Sequence, residues 1–200
     1  MKTRTLKCVV TTIIPATLLA LTGCGTPPAN PLATETSPAF AGGRVVVQTS
    51  CEKAEVTELV PARSAVALRS SGGATTQCKV APQVANLSQI QVGEKVHATL
   101  SKAVAIFLVK NGPPPAAGAG VTVSGPAEAG QPGNVVLLTT DVQAKVYSVD
   151  RSYRLLRLQY PDGNKIEYKI PLPDTLLGVE KGDEAVVRST EPLAICLKPK

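Results

Sequence analysis

Five cysteines, one histidine and four tyrosines are the side chains of this chain whose chemistry could go beyond packing. Thiols offer nucleophiles, soft metal ligands or disulfides, and Cys51, Cys78 and Cys196 sit in three separate stretches. His97 stands alone in Glu94-Lys95-Val96-His97-Ala98. Val96 and Ala98 share a strand face, so His97 points the other way, and a single imidazole makes neither a triad nor a metal site. The chain lacks a Gly-x-Ser-x-Gly elbow, and no Cys–His spacing of a known catalytic type is present. Asp150 and Asp162 fall in turn sequences, where Asp is favoured for local hydrogen bonding. Gly118-Ala119-Gly120 lacks the Lys-Ser/Thr of a phosphate loop. These patterns predict no enzyme, no cofactor and no metal. The richest cluster is Tyr147, Arg151, Tyr153, Arg154, Arg157 and Tyr160. Aromatic faces beside guanidinium groups could hold a saccharide, a peptide or an anionic headgroup, or could be cross-strand packing on a solvated sheet.

The elements that must position these residues read as short strands. Residues 144–149 alternate, as do residues 154–160, with Leu156 and Leu158 on one face. Pro161-Asp162-Gly163-Asn164 is a hairpin signal, Ile166, Tyr168 and Ile170 line a third strand, and strands near 184–190 and 192–198 follow Lys181-Gly182-Asp183. Residues 44–110 repeat this plan. At an offset of 90, Ala54 matches Ala144, Val56 matches Val146, Leu68 matches Leu158, Gly73 matches Gly163 and Val80 matches Ile170. At an offset of 89, Gly93 matches Gly182, Val96 matches Ala185, Ile106 matches Ile195 and Leu108 matches Leu197. Such a period is too long for a solenoid and fits two tandem domains, 44–110 and 134–200. Five strands with a small helical turn after the third, near Asn86–Gln89 in the first copy, give an all-β fold of two OB-like barrels. An open meander is the competitor, and closure is favoured because it protects edges. Residues 111–133, rich in Pro, Gly and Ala, read as a mobile linker, and the proline-rich 24–43 as a flexible tether with almost nothing to pack.

The amino terminus has a different texture. Lys2, Arg4 and Lys7 precede an apolar run ending at Leu21-Thr22-Gly23-Cys24, the layout of a secretory signal over 1–23. Removing those three cations takes the formal net charge from +6 to +3, so the raw basicity is no argument for nucleic acid. Single-strand-binding OB folds also stack bases on aromatic platforms, and the first copy has only Phe107. Leu21, Thr22, Gly23 and Cys24 resemble the lipobox of bacterial lipoproteins. The resemblance implies cleavage before Cys24, diacylglycerol on its thiol and acylation, typically with palmitate, of the new amino terminus. Gly25 rather than Asp after the cysteine points to the outer membrane, on its periplasmic face.

In that oxidising compartment a Cys51–Cys78 disulfide is an option, though alternation puts Cys51 outward and Cys78 inward. Cys196, aligned with Phe107, reads as a buried core thiol. Residues 144–150, 154–158 and 161–163, with Val92–Val96 and Glu191–Ile195, resemble a module of proteobacterial envelope lipoproteins that carry tandem copies and no assigned activity. A more distant similarity is to periplasmic copper- and silver-binding OB proteins, but their His, Met and Trp ligands are missing here. The expected function is a non-enzymatic, lipid-anchored binding or structural module, with the membrane and envelope proteins or peptidoglycan as partners. A metal-binding OB protein is the first alternative and an envelope enzyme the second.

Overall fold

The computed structural model describes residues 30–33, 37–84, 87–116, 120–126, 133–171 and 176–200. The signal, Leu21, Thr22, Gly23 and Cys24 lie outside the described residues. Apart from single 3-10 turns, the regular structure described is all β. The strands are β1 (Arg44–Val60), β2 (Ala65–Ser70), β3 (Thr75–Val80), β4 (Lys95–Leu108), β5 (Val121–Ser124), β6 (Asn134–Leu137), β7 (Thr139–Asp150), β8 (Leu155–Gln159), β9 (Lys165–Lys169), β10 (Glu184–Thr190) and β11 (Leu193–Pro199).

The internal repeat is written in the backbone. Gly93 N–H donates to Val56 O, and Val56 N–H to Glu94 O. Their counterparts Gly182, Val146 and Asp183 make the same two bonds. Val80 N–H donates to Ser64 O as Ile170 N–H does to Arg154 O. Among the described residues Ser64 and Arg154 are the two non-glycine residues with positive φ, at 43° and 60°. The register slips after Val56 on β1 and after Val146 on β7. Gly73 and Gly163 take the same left-handed turn conformation, near 85°, that an L side chain resists.

The two copies are not laid side by side as separate units. The pairings run β1–β2–β3–β11–β4 and return to β1, so strand 193–199 of the second copy completes the ring of the first. In exchange, the far half of β4 pairs with β10 and joins β7, β8 and β9. One edge of β4 thus carries β11 opposite Val96–Ser101 and β10 opposite Val104–Leu108. Between them, Thr190 Oγ1 accepts the Ala103 N–H. The boundary expected between 44–110 and 134–200 is therefore crossed twice. Proline chemistry supplies a reason. Ala103 lets β4 run straight through, whereas its counterpart Pro192 breaks β10 from β11. Ala81 N–H bonds Ala194 O as the first ring closes, and its counterpart is Pro171, which has no N–H to give.

Two cores result. Ala54, Val56, Val66, Leu68, Val80, Val96, Ala98 and Leu197 belong to the first, and Ile106, Leu108, Val146, Leu156, Leu158, Tyr168, Ile170 and Val187 to the second. The far half of β4 alternates between them, Ala103, Ala105 and Phe107 to one and Val104, Ile106 and Leu108 to the other. A strand buried on both faces needs such an unbroken apolar run.

Two expectations fail for described residues. In the tether expected over 24–43, Leu32, Ala39 and Phe40 are buried in the first core, and Gly43 lies so close to Phe107 that a Cβ would meet its ring at 2.9 Å. The described residues of the linker expected over 111–133 are not featureless either. Residues 121–124 pair with 134–137 as β5–β6, burying Val121, Val123, Val135 and Leu137 against the first core. Four buried apolar side chains contribute roughly 1.5–3 kcal/mol each, enough to hold a hairpin in a proline-rich setting.

Candidate functional site

The structure scatters the Tyr/Arg cluster. Arg151 donates to Val179 O, Arg154 to Pro171 O, and Arg157 pairs with Glu167 at 2.7 Å. Tyr160 turns toward the second core, its hydroxyl 2.6 Å from that of Tyr168. Burial first, then the shared hydrogen bond, drives the Tyr160 phenol far above its ordinary pKa. Tyr147 occupies the bulge of β7 beneath Lys165, whose Nζ lies 3.7 Å from the ring centroid. Tyr153 is 70% exposed at the turn. These six side chains do not converge on one pocket.

The cysteines do not bridge. Cys51, Cys78 and Cys196 are free thiols. Cys51 is exposed, 3.6 Å from Thr99 Oγ1, while Cys78 is buried and reaches Val66 O. Burial, reinforced by Glu52 and Glu191, pushes the Cys78 thiol up to about 12, so it stays protonated and a poor ligand. Cys196 is half-buried rather than a core thiol, because a bulge in β11 sets Ile195 into the core and leaves Cys196 opposite Thr99. Cys51 is also opposite Thr99, from the other side. Two strand spacings of about 4.8 Å separate these cysteines, beyond disulfide reach. His97 is half-buried on the outer face, opposite Lys53 on one side and Lys198 on the other. Among the described residues no three His, Cys, Asp or Glu side chains converge to hold a metal ion, and no helix is long and apolar enough to cross a membrane.

What the structure does bring together is a pair of clefts. One, of about 400 Å³, is lined by Gln143, Ala144, Lys145, Gln159, Tyr160, Pro161, Glu184, Ala185 and Val186, with Val109 at its end. The other, of about 260 Å³, is lined by Lys53, Ala54, Glu55, Arg69, Ser70, Ser71, Lys95, Val96 and His97, with Lys200 at its end. At offsets of 90 and 89 the first nine residues of each set correspond one to one. The clefts are one site present twice, across the first, second and fourth strands of each copy. The copies have diverged in chemistry. The second cleft is close to neutral, with Lys145 opposite Glu184, two glutamines and a tyrosine edge. The first is cationic, with Glu55 tied to Arg69 at 2.9 Å.

Of the expected binding residues Tyr160 lines one cleft of this pair, and Arg154 lines a separate cleft with Glu167 and Lys169. The rest were missed because a cleft shared by three non-adjacent stretches has no local motif. The repeat itself was the available signal, since aligning the copies sets Gln143 on Lys53 and Tyr160 on Ser70.

No protein-family model matches the chain, and no curated protein matches it in sequence.

Proposed function

We propose that the protein is a non-enzymatic binding module of the bacterial envelope, held to the outer membrane by lipid on Cys24 and built from two OB-like units that exchange their fifth strands. The OB-like reading is supported by a five-strand ring with a 3-10 turn, Leu87–Gln89, between its third and fourth strands. The observation that carries the binding reading is the recurrence of the cleft at the same place in both copies, with diverged linings. Two clefts on one body can engage two parts of one ligand at raised effective concentration, without either being deep. The neutral cleft suits a polar, uncharged ligand segment such as a glycan or peptide stretch. Gln143 and Gln159 supply donors and acceptors, and Val109, Pro161 and Tyr160 an apolar wall.

Two measurements test this. Membrane fractionation of wild type and Cys24→Ala reads the anchor, and unchanged attachment of the variant rejects it. Co-sedimentation with purified peptidoglycan reads the neutral cleft. Wild type is expected to pellet, and Gln143→Ala with Gln159→Ala to weaken binding by about tenfold, since each lost hydrogen bond costs about 0.5–1.5 kcal/mol. Equal pelleting of the double variant removes the cleft from the function.

A further inference from the structure

We propose that the cationic cleft of the first half seats the headgroups of anionic phospholipids, so that the outer face of β2, β1, β4 and β11 lies against a lipid surface. The charge argument is independent of the anchor. A second argument, from the route of the chain, rests on the anchoring reading above.

Alternation fixes the face. Ala54, Val56, Val96, Ala98 and Leu197 point into the first core, which leaves Lys53, Glu55, Lys95, His97 and Lys198 pointing out. Register then gathers lysines around one imidazole. Lys53 on β1 and Lys198 on β11 stand opposite His97 on β4 from its two sides. One residue pair further, Lys95 stands opposite Glu55, but Arg69 already holds that carboxylate. Lys200 joins the group, its amide bonded to Lys95 O. Among the described residues Lys53, Lys95, Lys198 and Lys200 make no ion pair. Ser70 and Ser71 add hydroxyls to the cleft.

The second copy shows that the fold does not require this charge. The counterparts of Lys53 and His97 are Gln143 and Val186, which pair in the same register, and the counterpart of Lys198 is Val109, at the end of the neutral cleft. An anion delivered from outside supplies the partner that these lysines lack. A surface studded with phosphates does so along the whole row.

The chain arrives on this same face. From Gly43, packed on Phe107 and Ala105, it runs back through Phe40 to Asn30. Asn30 Nδ2 donates to Thr49 Oγ1 and Ser101 Oγ. Thr49 and Lys53 share a face of β1, four residues or about 13 Å apart. From Gly43 back to Asn30 the contacts move along β4 from Phe107 to Ser101, toward His97. Cys24 precedes Asn30 by six positions, a reach of at most about 21 Å. A lipid on Cys24 therefore brings the bilayer within range of these lysines, and acyl chains plus a basic patch bind membranes better than either alone.

Full-chain protein is sedimented with vesicles of phosphatidylethanolamine and phosphatidylglycerol, and with vesicles of phosphatidylcholine alone. The comparison is between wild type, Lys53→Gln with Lys198→Gln, and Gln143→Ala in the equivalent cleft. All three share the apolar amino-terminal segment, so its contribution cancels. Wild type should prefer the anionic vesicles, with binding that falls steeply as salt rises. Neutralising the two lysines should weaken it about fivefold per cation, about twenty-five-fold for the pair. Gln143→Ala should change nothing. Equal binding by the lysine variant, or no preference for anionic vesicles, overturns the proposal. So does full displacement by millimolar inorganic phosphate, which would assign the cleft to a free anion. None of these outcomes bears on the anchor, which fractionation of Cys24→Ala reads separately. An unchanged circular dichroism melt of the lysine variant confirms that it is folded.

Discussion

Arg188 is 1% exposed, and each of its three guanidinium nitrogens donates a hydrogen bond. Its Nε and Nη2 donate to the two Asp141 oxygens at 2.7 Å, Nη1 to Ala39 O and Nη2 also to Pro115 O, with the guanidinium over the Phe107 ring. One side chain thus fastens the segment before β1, the segment after β4, and β7 to β10. Removing the arginine takes its donors from the buried Ala39 carbonyl, the half-buried Pro115 carbonyl and the Asp141 carboxylate. We expect Arg188→Met to destabilise by about 3 kcal/mol, read as a lower urea midpoint. The Arg188 hydrogen bonds hold the Asp141 carboxyl below its ordinary range. Its stabilising contribution is therefore complete above the unfolded carboxyl value of about 4 and is lost as pH falls through the lower folded value. Asp141→Asn should flatten that part of the acid limb, and an unchanged limb would show that other carboxylates control it. The sequence hid this hub. Alternation with Val187 places Arg188 on the outer face, which is correct, but nothing local says that residues 37–43 and 112–116 cover that face.

At the scale of elements, the strands were largely legible and their partners were not. Residues 144–149, 154–160 and 166–170 alternate cleanly and form β7, β8 and β9 close to where the pattern puts them. Residues 103–108 show an apolar run in which both faces are committed, which one sequence cannot apportion between two cores. The decisive signals were two prolines. Pro192 and Pro171 read as turn residues, and only the copy-to-copy comparison with Ala103 and Ala81 shows that they decide where a strand can continue and where a ring can close. The exchange makes a crossed prediction. Ile106→Ala, in the first copy's sequence, should loosen the second core, and Leu193→Ala, in the second copy's, should loosen the first. Each should cost about 2–5 kcal/mol. Hydrogen exchange reads it: faster amides in β8 and β9 for Ile106→Ala, and in β2 and β3 for Leu193→Ala. The reverse pattern would mean that each copy keeps its own fifth strand in solution.

At the scale of the whole molecule, a cut in the segment between the copies should not free two domains. The sequence suggests two resistant fragments after proteolysis near residues 112–133. The pairings add that the fragments stay together, because each holds a strand of the other's core. They should co-elute on a sizing column after nicking and separate only in denaturant. Separation in native buffer would contradict the exchange.

The bond from Lys79 N–H to Pro192 O spans more than a hundred residues of sequence. The three strands that precede it are among the first to be made, and their ring closes only on one of the last. Chains dominated by such distant pairings fold in milliseconds to seconds rather than microseconds. A growing chain that has not yet reached Leu193 has an open edge at β3 throughout synthesis, and that waiting edge is what a chaperone would have to shield.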